Sequence, residues 1–104
     1  MSSLAERVAE VVAAIPAGRV LSYGDVAELV ECRSPRAVGT VLARHPAAAD
    51  LPWWRVVDRD GVLAEHLQVR ARERYRDEGT PLREDDGHLV RVDMDRARWN
   101  PSAP

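Results

Sequence analysis

Ser22-Tyr23-Gly24-Asp25-Val26-Ala27-Glu28-Leu29-Val30 and, after three residues, Ser34-Pro35-Arg36-Ala37-Val38-Gly39-Thr40-Val41-Leu42-Ala43-Arg44 are the two stretches on which the fold turns. Ser22 with Asp25 makes a capping-box pattern, which predicts a helix running through about Val30. Ser34 caps the next helix and Pro35 takes its first position, where a missing N–H costs nothing. Ala37, Val38, Val41 and Leu42 then recur at helical spacing and give this second helix a buried stripe to about Arg44. Two short helices joined by a tight turn read as a helix-turn-helix, whose second helix approaches a DNA groove with its first residues nearest the bases. Arg36 lies in that first turn.

Upstream, Leu4, Val8, Val11, Val12 and Ile15 form the apolar stripe of an amphipathic helix opened by Ser3-x-x-Glu6 and ended by Pro16 to Gly18. Val20 and Leu21 make a short extended piece. Downstream, Pro46 ends the recognition helix and Ala47 to Leu51 is a small-residue loop. Val56-Val57, Asp58-Arg59-Asp60-Gly61 and Val62-Leu63 read as a hairpin, the wing of a winged helix. A charged helix over about Gln68 to Glu78 stops at Gly79, a C′ glycine. Glu84-Asp85-Asp86-Gly87 reads as a turn, His88 to Met94 as a short strand, and Trp99 docks the tail on the body. The expected architecture is α/β: one small winged helix-turn-helix domain over residues 1–104, mostly helical with a short β-hairpin wing.

The chain of 104 residues can bury only about two-thirds of its unfolded surface, so its core is small and leaves little room for a separate catalytic domain. No run approaches the roughly 18 apolar residues of a membrane span, and charges interrupt the first fifteen residues too often for a secretory signal. A cytoplasmic monomer is expected. One cysteine, Cys32, excludes an internal disulfide, and three scattered histidines give no metal motif, so neither metal nor cofactor is expected. The net charge of −2 argues against coating DNA by charge alone. Locally the balance reverses: between residues 33 and 59, Arg33, Arg36, Arg44, Arg55 and Arg59 face only Asp50 and Asp58. All basic residues are arginine, whose planar fork suits phosphate contact and stacking.

The motifs Ile15-Pro16-Ala17-Gly18-Arg19-Val20, Tyr23-Gly24, Pro35-Arg36-Ala37-Val38-Gly39, His45-Pro46 and Pro52-Trp53-Trp54-Arg55-Val56-Val57 follow one another in a telling order. This succession, over residues 15 to 79, resembles the DNA-binding domain of the O6-alkylguanine-DNA alkyltransferases, whose active-site motif is Pro-Cys-His-Arg-Val. Trp53 stands at the cysteine and Trp54 at the histidine, and Trp99-x-Pro101 resembles the tail of alkyltransferase-like proteins. The resemblance implies recognition of a damaged base without repair chemistry, since an indole cannot supply the thiolate that attacks an alkyl carbon. It also implies nucleotide excision repair proteins as partners.

Each implied role stands beside a plainer one. Trp53, with Tyr23, Pro52, Val56 and His66, would line a pocket for an extruded guanine; adjacent tryptophans are more commonly one core and one rim residue. Arg36 would fill the gap left in the base stack, with Tyr23, Ser34, Ala37 and Gly39 against DNA; an exposed arginine at a helix start otherwise contacts phosphate. Tyr23 would crowd the neighbouring phosphate, and Gly24 and Gly39 would be close-approach positions. Trp54 is expected as a core filler and Arg55 as a structural pair inside the fold. By resemblance His45 stands where the enzymes carry a bracing asparagine, and Glu78 matches a glutamate that supports their histidine. Two other readings stay open: an alkyltransferase acting through a displaced Cys32, and a winged-helix regulator that reads sequence rather than damage.

Overall fold

The computed structural model describes residues 3–45, 48, 50–83 and 89–102. Its elements are α1 (Leu4–Ala14), β1 (Leu21–Ser22), α2 (Tyr23–Leu29), α3 (Pro35–Arg44), β2 (Val56–Val57), α4 (Gln68–Glu78) and α5 (Met94–Ala97), with 3-10 turns at Trp53–Arg55 and Glu65–Leu67. The helix starts follow from local chemistry. Ser3, Ser22 and Ser34 each accept a hydrogen bond from the backbone N–H three residues on, and Asp25 returns the bond to Ser22 N at 2.9 Å. Gly79 ends α4 at φ 69°, the left-handed conformation that glycine enters without steric cost.

The two strands pair in parallel, Leu21 with Val56 and Ser22 with Val57. They stand between two cores. Leu21 and Val56 turn toward a helical core with Val8, Val12, Ile15, Val26, Ala27, Val30 and Val38. Val20 and Val57 turn the other way, toward Leu63, Ala71, Tyr75, Val90, Val92 and Ala97. Alternation of side chains along a strand makes this two-sided burial possible. Each fully buried valine contributes about 1.5–3 kcal/mol over its exposed state.

The mostly helical architecture with two strands matches the sequence expectation, while the wing differs in detail. Asp58 N donates to Val62 O and Gly61 N to Asp58 O, so the expected turn is present. Val56 and Val57 do not form a ladder with Val62 and Leu63, however; they join β1 instead. Both valines are fully buried, the pattern of a parallel strand covered on both faces rather than of a half-solvated hairpin. Of the strand expected over His88 to Met94, residues 89–94 are described and make an isolated antiparallel bridge, Leu82 with Val92, before α5 starts at Met94. The expected turn at Glu84 to Gly87, His88 itself, Pro46 and Ala47 lie outside the described residues.

Two contacts weld the later segments to the body. Val92 N donates to Gly61 O, and a Cβ at Gly61 would stand only 2.3 Å from Val92 O, so no other residue fits that turn. Val20 N donates to Ala97 O and Trp99 N to Val20 O, which docks the tail beside β1. No helix among the described residues is long and apolar enough to cross a membrane.

Candidate nucleic-acid interface

The helix-turn-helix and the segment before α4 enclose a cavity of about 410 Å³. Tyr23, Gly39, Leu42 and Ala43 line it from α2 and α3, Ala48 and Trp53 from the connecting loop, and Leu63, Ala64, His66, Leu67 and Arg70 from the other side. Trp53 is half-buried. Its ring meets that of Trp54 edge to face at 5.5 Å and 88°, and the Arg70 guanidinium lies 5.6 Å from its centroid. Such contacts fix a flat apolar wall whose electron-rich face carries a cation.

Beneath Trp53 the polar groups are fully engaged. The Trp54 indole N–H donates to Glu78 Oε1 at 2.9 Å, and Arg55 Nε reaches both carboxylate oxygens at 3.1 Å. Arg55 Nη2 closes the fork on Oε1 at 2.5 Å, Arg55 Nη1 donates to Ile15 O at 2.8 Å, and Gly18 N donates to Glu78 Oε2 at 3.1 Å. Tyr75 Oη donates to Trp54 O at 2.6 Å, while the Arg74 guanidinium lies 4.6 Å from the Trp54 ring. Burial alone would raise the Glu78 carboxyl, but hydrogen bonds from Arg55, Gly18 and Trp54 outweigh it and hold the group below its ordinary value. Desolvation, then the charges of Tyr23 and Glu78, pushes the Tyr75 hydroxyl well above the usual tyrosine range. Tyr23 is likewise raised by burial and by Asp58, so at neutral pH it is an uncharged hydroxyl.

On the far side of Tyr23 and Gly39 an open groove of about 500 Å³ runs along α3, lined also by Pro35, Arg36, Thr40, Ala43 and Arg44. It carries two arginines and no acid. Arg36 is exposed at the start of α3. Gly39 borders both spaces, and a Cβ there would meet the Tyr23 ring at an ordinary 3.9 Å; at Gly24 it would meet Ser22 Oγ at 3.7 Å. Neither glycine is therefore required by the packing of the chain itself.

The sequence-derived residues divide accordingly. Trp53, Tyr23 and His66 come together around the cavity, and Arg36 and Gly39 along the adjoining groove. Val56 does not reach the cavity; it is fully buried, and its side chain is part of the helical core because β2 turns it inward. Pro52 is half-buried and is not among the cavity walls. Ser34 spends its hydroxyl on Ala37 N at 3.2 Å, and Ala37 is half-buried on α3. Trp54 is half-buried rather than a sealed core filler, and Arg55 forms the internal pair expected of it. His45 is exposed at the end of α3. Cys32 packs at the edge of the helical core with its sulfur 3.6 Å from Ser34 O, away from the cavity. Among the described residues no three His, Cys, Asp or Glu side chains are placed to hold a metal ion.

Arg70 and Arg74 were not found from sequence. They are four residues apart on α4, a spacing that sets two side chains on one helix face. Paired with the adjacent Trp53 and Trp54, that spacing was the available signal.

Residues 3–80 match the family model described as "6-O-methylguanine DNA methyltransferase, DNA binding domain". The chain is 42% identical over 102 residues to the "DNA base-flipping protein" of Escherichia coli K12, covering 94% of this chain and 75% of that one. Its fold is similar to that of the Schizosaccharomyces pombe alkyltransferase-like protein in complex with DNA, at TM-score 0.81 and 26% identity over 97% of this chain and all of that one. A second structure of the S. pombe protein, with damaged DNA containing O6-carboxymethylguanine, superposes at TM-score 0.81 and 24% identity over the same shares.

Proposed function

Because this chain belongs to the family of the 6-O-methylguanine DNA methyltransferase DNA-binding domain, we propose that it recognises O6-alkylguanine in duplex DNA by rotating the base into the cavity beside Trp53, and that it holds the base without repairing it. The observation that carries this reading is a roomy cavity walled by Trp53, in a chain whose single cysteine lies elsewhere. Dealkylation in this family's manner needs a thiolate, and an indole ring offers instead a flat apolar surface for an alkylated base.

The positions of the chain's residues support a role for each. Arg36, exposed at the start of α3, enters the base stack and takes the place of the rotated nucleotide, which offsets the few kcal/mol of lost pairing. Tyr23, between the groove and the cavity, crowds the phosphate as an uncharged hydroxyl and so avoids repelling it. Arg70 and His66 flank the bound base, and Trp53 packs on its alkyl group. The Glu78 corner holds the two tryptophans in position. A lesion held without being removed is useful as a flag, and nucleotide excision repair proteins are the partners suited to read it. The protein works as a cytoplasmic monomer with no cofactor.

The test compares affinity for one duplex carrying guanine and O6-methylguanine in turn, with mass spectrometry of both partners afterwards. Tighter binding of the lesion with both molecules unchanged in mass is expected. Equal affinities would point to a regulator that reads sequence, and a methyl adduct on the protein to an alkyltransferase using Cys32.

A further inference from the structure

The Trp99-x-Pro101 tail has no part in the cavity or in the groove along α3. It instead forms one wall of a separate cleft of about 580 Å³, whose other wall is the outer face of α2. On a helix of 3.6 residues per turn, Asp25, Glu28 and Leu29 lie about 140–240° round from Tyr23, so this cleft is on the opposite side of α2 from the groove that carries Arg36. The two spaces share no residue.

Their chemistry is opposed as well. The cleft presents apolar surface from Met94, Trp99 and Leu29, the last being 46% exposed. Its rim carries the carboxylates of Asp25, Glu28 and Asp95 against the single guanidinium of Arg98, a balance of one minus three, or −2. Arg98 Nε pairs with Asp25 Oδ2 at 3.2 Å, an oxygen that also accepts from Ser22 N. Glu28 and Asp95 therefore remain without a cationic partner among the described residues. The groove along α3 carries Arg36 and Arg44 and no acid, a balance of +2. A DNA backbone is drawn to the second and repelled from the first.

We infer that the cleft between α2 and the tail is a docking site for a partner protein, and that its occupant is a segment carrying arginine or lysine beside apolar side chains. Charge complementarity selects the cations, through Glu28 and Asp95, and the apolar wall of Leu29, Met94 and Trp99 supplies the buried contact. The site rests on the reading above, in which the chain holds a lesion that another protein must act on. Both faces of α2 can be occupied at once, so a partner can be received while the base is held.

The experiment uses the whole chain, isotope-labelled, first free and then saturated with an O6-methylguanine duplex. Two peptide probes are titrated, one of alternating leucine and arginine and one of alternating leucine and glutamate. The basic probe is expected to shift the amide signals of Leu29, Trp99 and Asn100 in both states, and the acidic probe to leave them still. Leu29→Ser, at an exposed position, and Glu28→Gln combined with Asp95→Asn are each expected to weaken the basic probe about tenfold or more, and Leu29→Ser, which leaves the charge unchanged, to keep lesion affinity within about twofold. Shifts confined to the α3 groove, equal binding of the acidic probe, or self-association of the chain at the cleft would overturn the proposal. Lack of lesion preference in the DNA titration would sink the functional reading alone, because the free-protein arm still reports on the cleft.

Discussion

Trp53 and Trp54 are neighbours in the chain and touch ring to ring, yet they belong to regions of opposite character. Around Trp54 the polar groups are bonded to one another: one carboxylate, Glu78, receives Trp54, Arg55 and Gly18, while Arg55 also reaches Ile15. Around Trp53 the walls are mostly apolar and bound a cavity of about 410 Å³. The corner below is overdetermined and the cavity above is open. A region saturated with internal bonds contributes stability and positions its neighbours, whereas one with an open wall has surface left for a ligand. In the enzymes that this chain resembles, the residues at Trp53 and Trp54 work together as nucleophile and base. Here one ring lines the cavity and the other donates to Glu78.

The comparison breaks most sharply at Glu78. Glu78→Ala strands the half-buried Arg55 and the Trp54 N–H, and is expected to cost about 3–5 kcal/mol, measured by urea unfolding. The same corner sets an acid limit. Because the folded-state pKa of Glu78 lies below its ordinary 4.5, its contribution is present above that value and is lost as pH falls through the lower, folded one. Glu78→Gln is expected to flatten the stability curve in that acid window, and an unchanged slope would remove Glu78 from this role. Arg36→Ala belongs to the open side. It is expected to weaken lesion binding by about 2 kcal/mol, roughly thirtyfold, and to abolish the 2-aminopurine signal of a rotated base, while unfolding midpoints stay put. A retained signal would reduce Arg36 to a phosphate contact. Trp53→Ala should lower the preference for O6-methylguanine over guanine by about 1 kcal/mol with the far-ultraviolet circular dichroism intact. If instead the domain unfolds while Trp53→Phe keeps lesion preference, Trp53 belongs with the corner and the contrast fails. Smallest of all is Trp53→Cys, expected to transfer no detectable alkyl group: the Trp54 N–H is a donor only, already given to Glu78, and cannot take a proton from a thiol.

What was legible in the sequence was local. Ser3, Ser22, Ser34 and Gly79 fix helix ends through bonds that span three or four residues, and all four do so in the structure, while Pro35 takes the first position of α3. The choice of strand partner was not legible in that way. Asp58 to Gly61 is a sound turn signal, and the turn forms, but whether Val56 and Val57 pair across it or with a strand 35 positions earlier depends on two cores that exist only in the assembled molecule. Tyr23, Trp53 and His66 could be brought to one cavity by resemblance because the motif order carries the fold with it. That Val56 lies in the helical core rather than at the cavity has the same cause as the pairing of β2: its immediate neighbours do not reveal which side of the sheet it serves. Arg70 and Arg74 were missed because a cation over a ring is a contact between elements, and helical spacing alone names only the face.

The parallel pairing of Leu21–Ser22 with Val56–Val57 has a kinetic consequence. The chain that carries Tyr23, Arg36, Gly39 and Trp53 leaves this point and returns to it, so these residues form one closed loop of the backbone. Closing a loop of that length costs chain entropy before the pairing returns anything, and a two-residue ladder returns little by itself. The part of the helical core that the loop carries, Val26, Ala27, Val30 and Val38, is therefore expected to be assembled in the folding transition state before the strands meet. Weakening Val26 or Val38 should slow folding, and weakening Val57 should mainly speed unfolding.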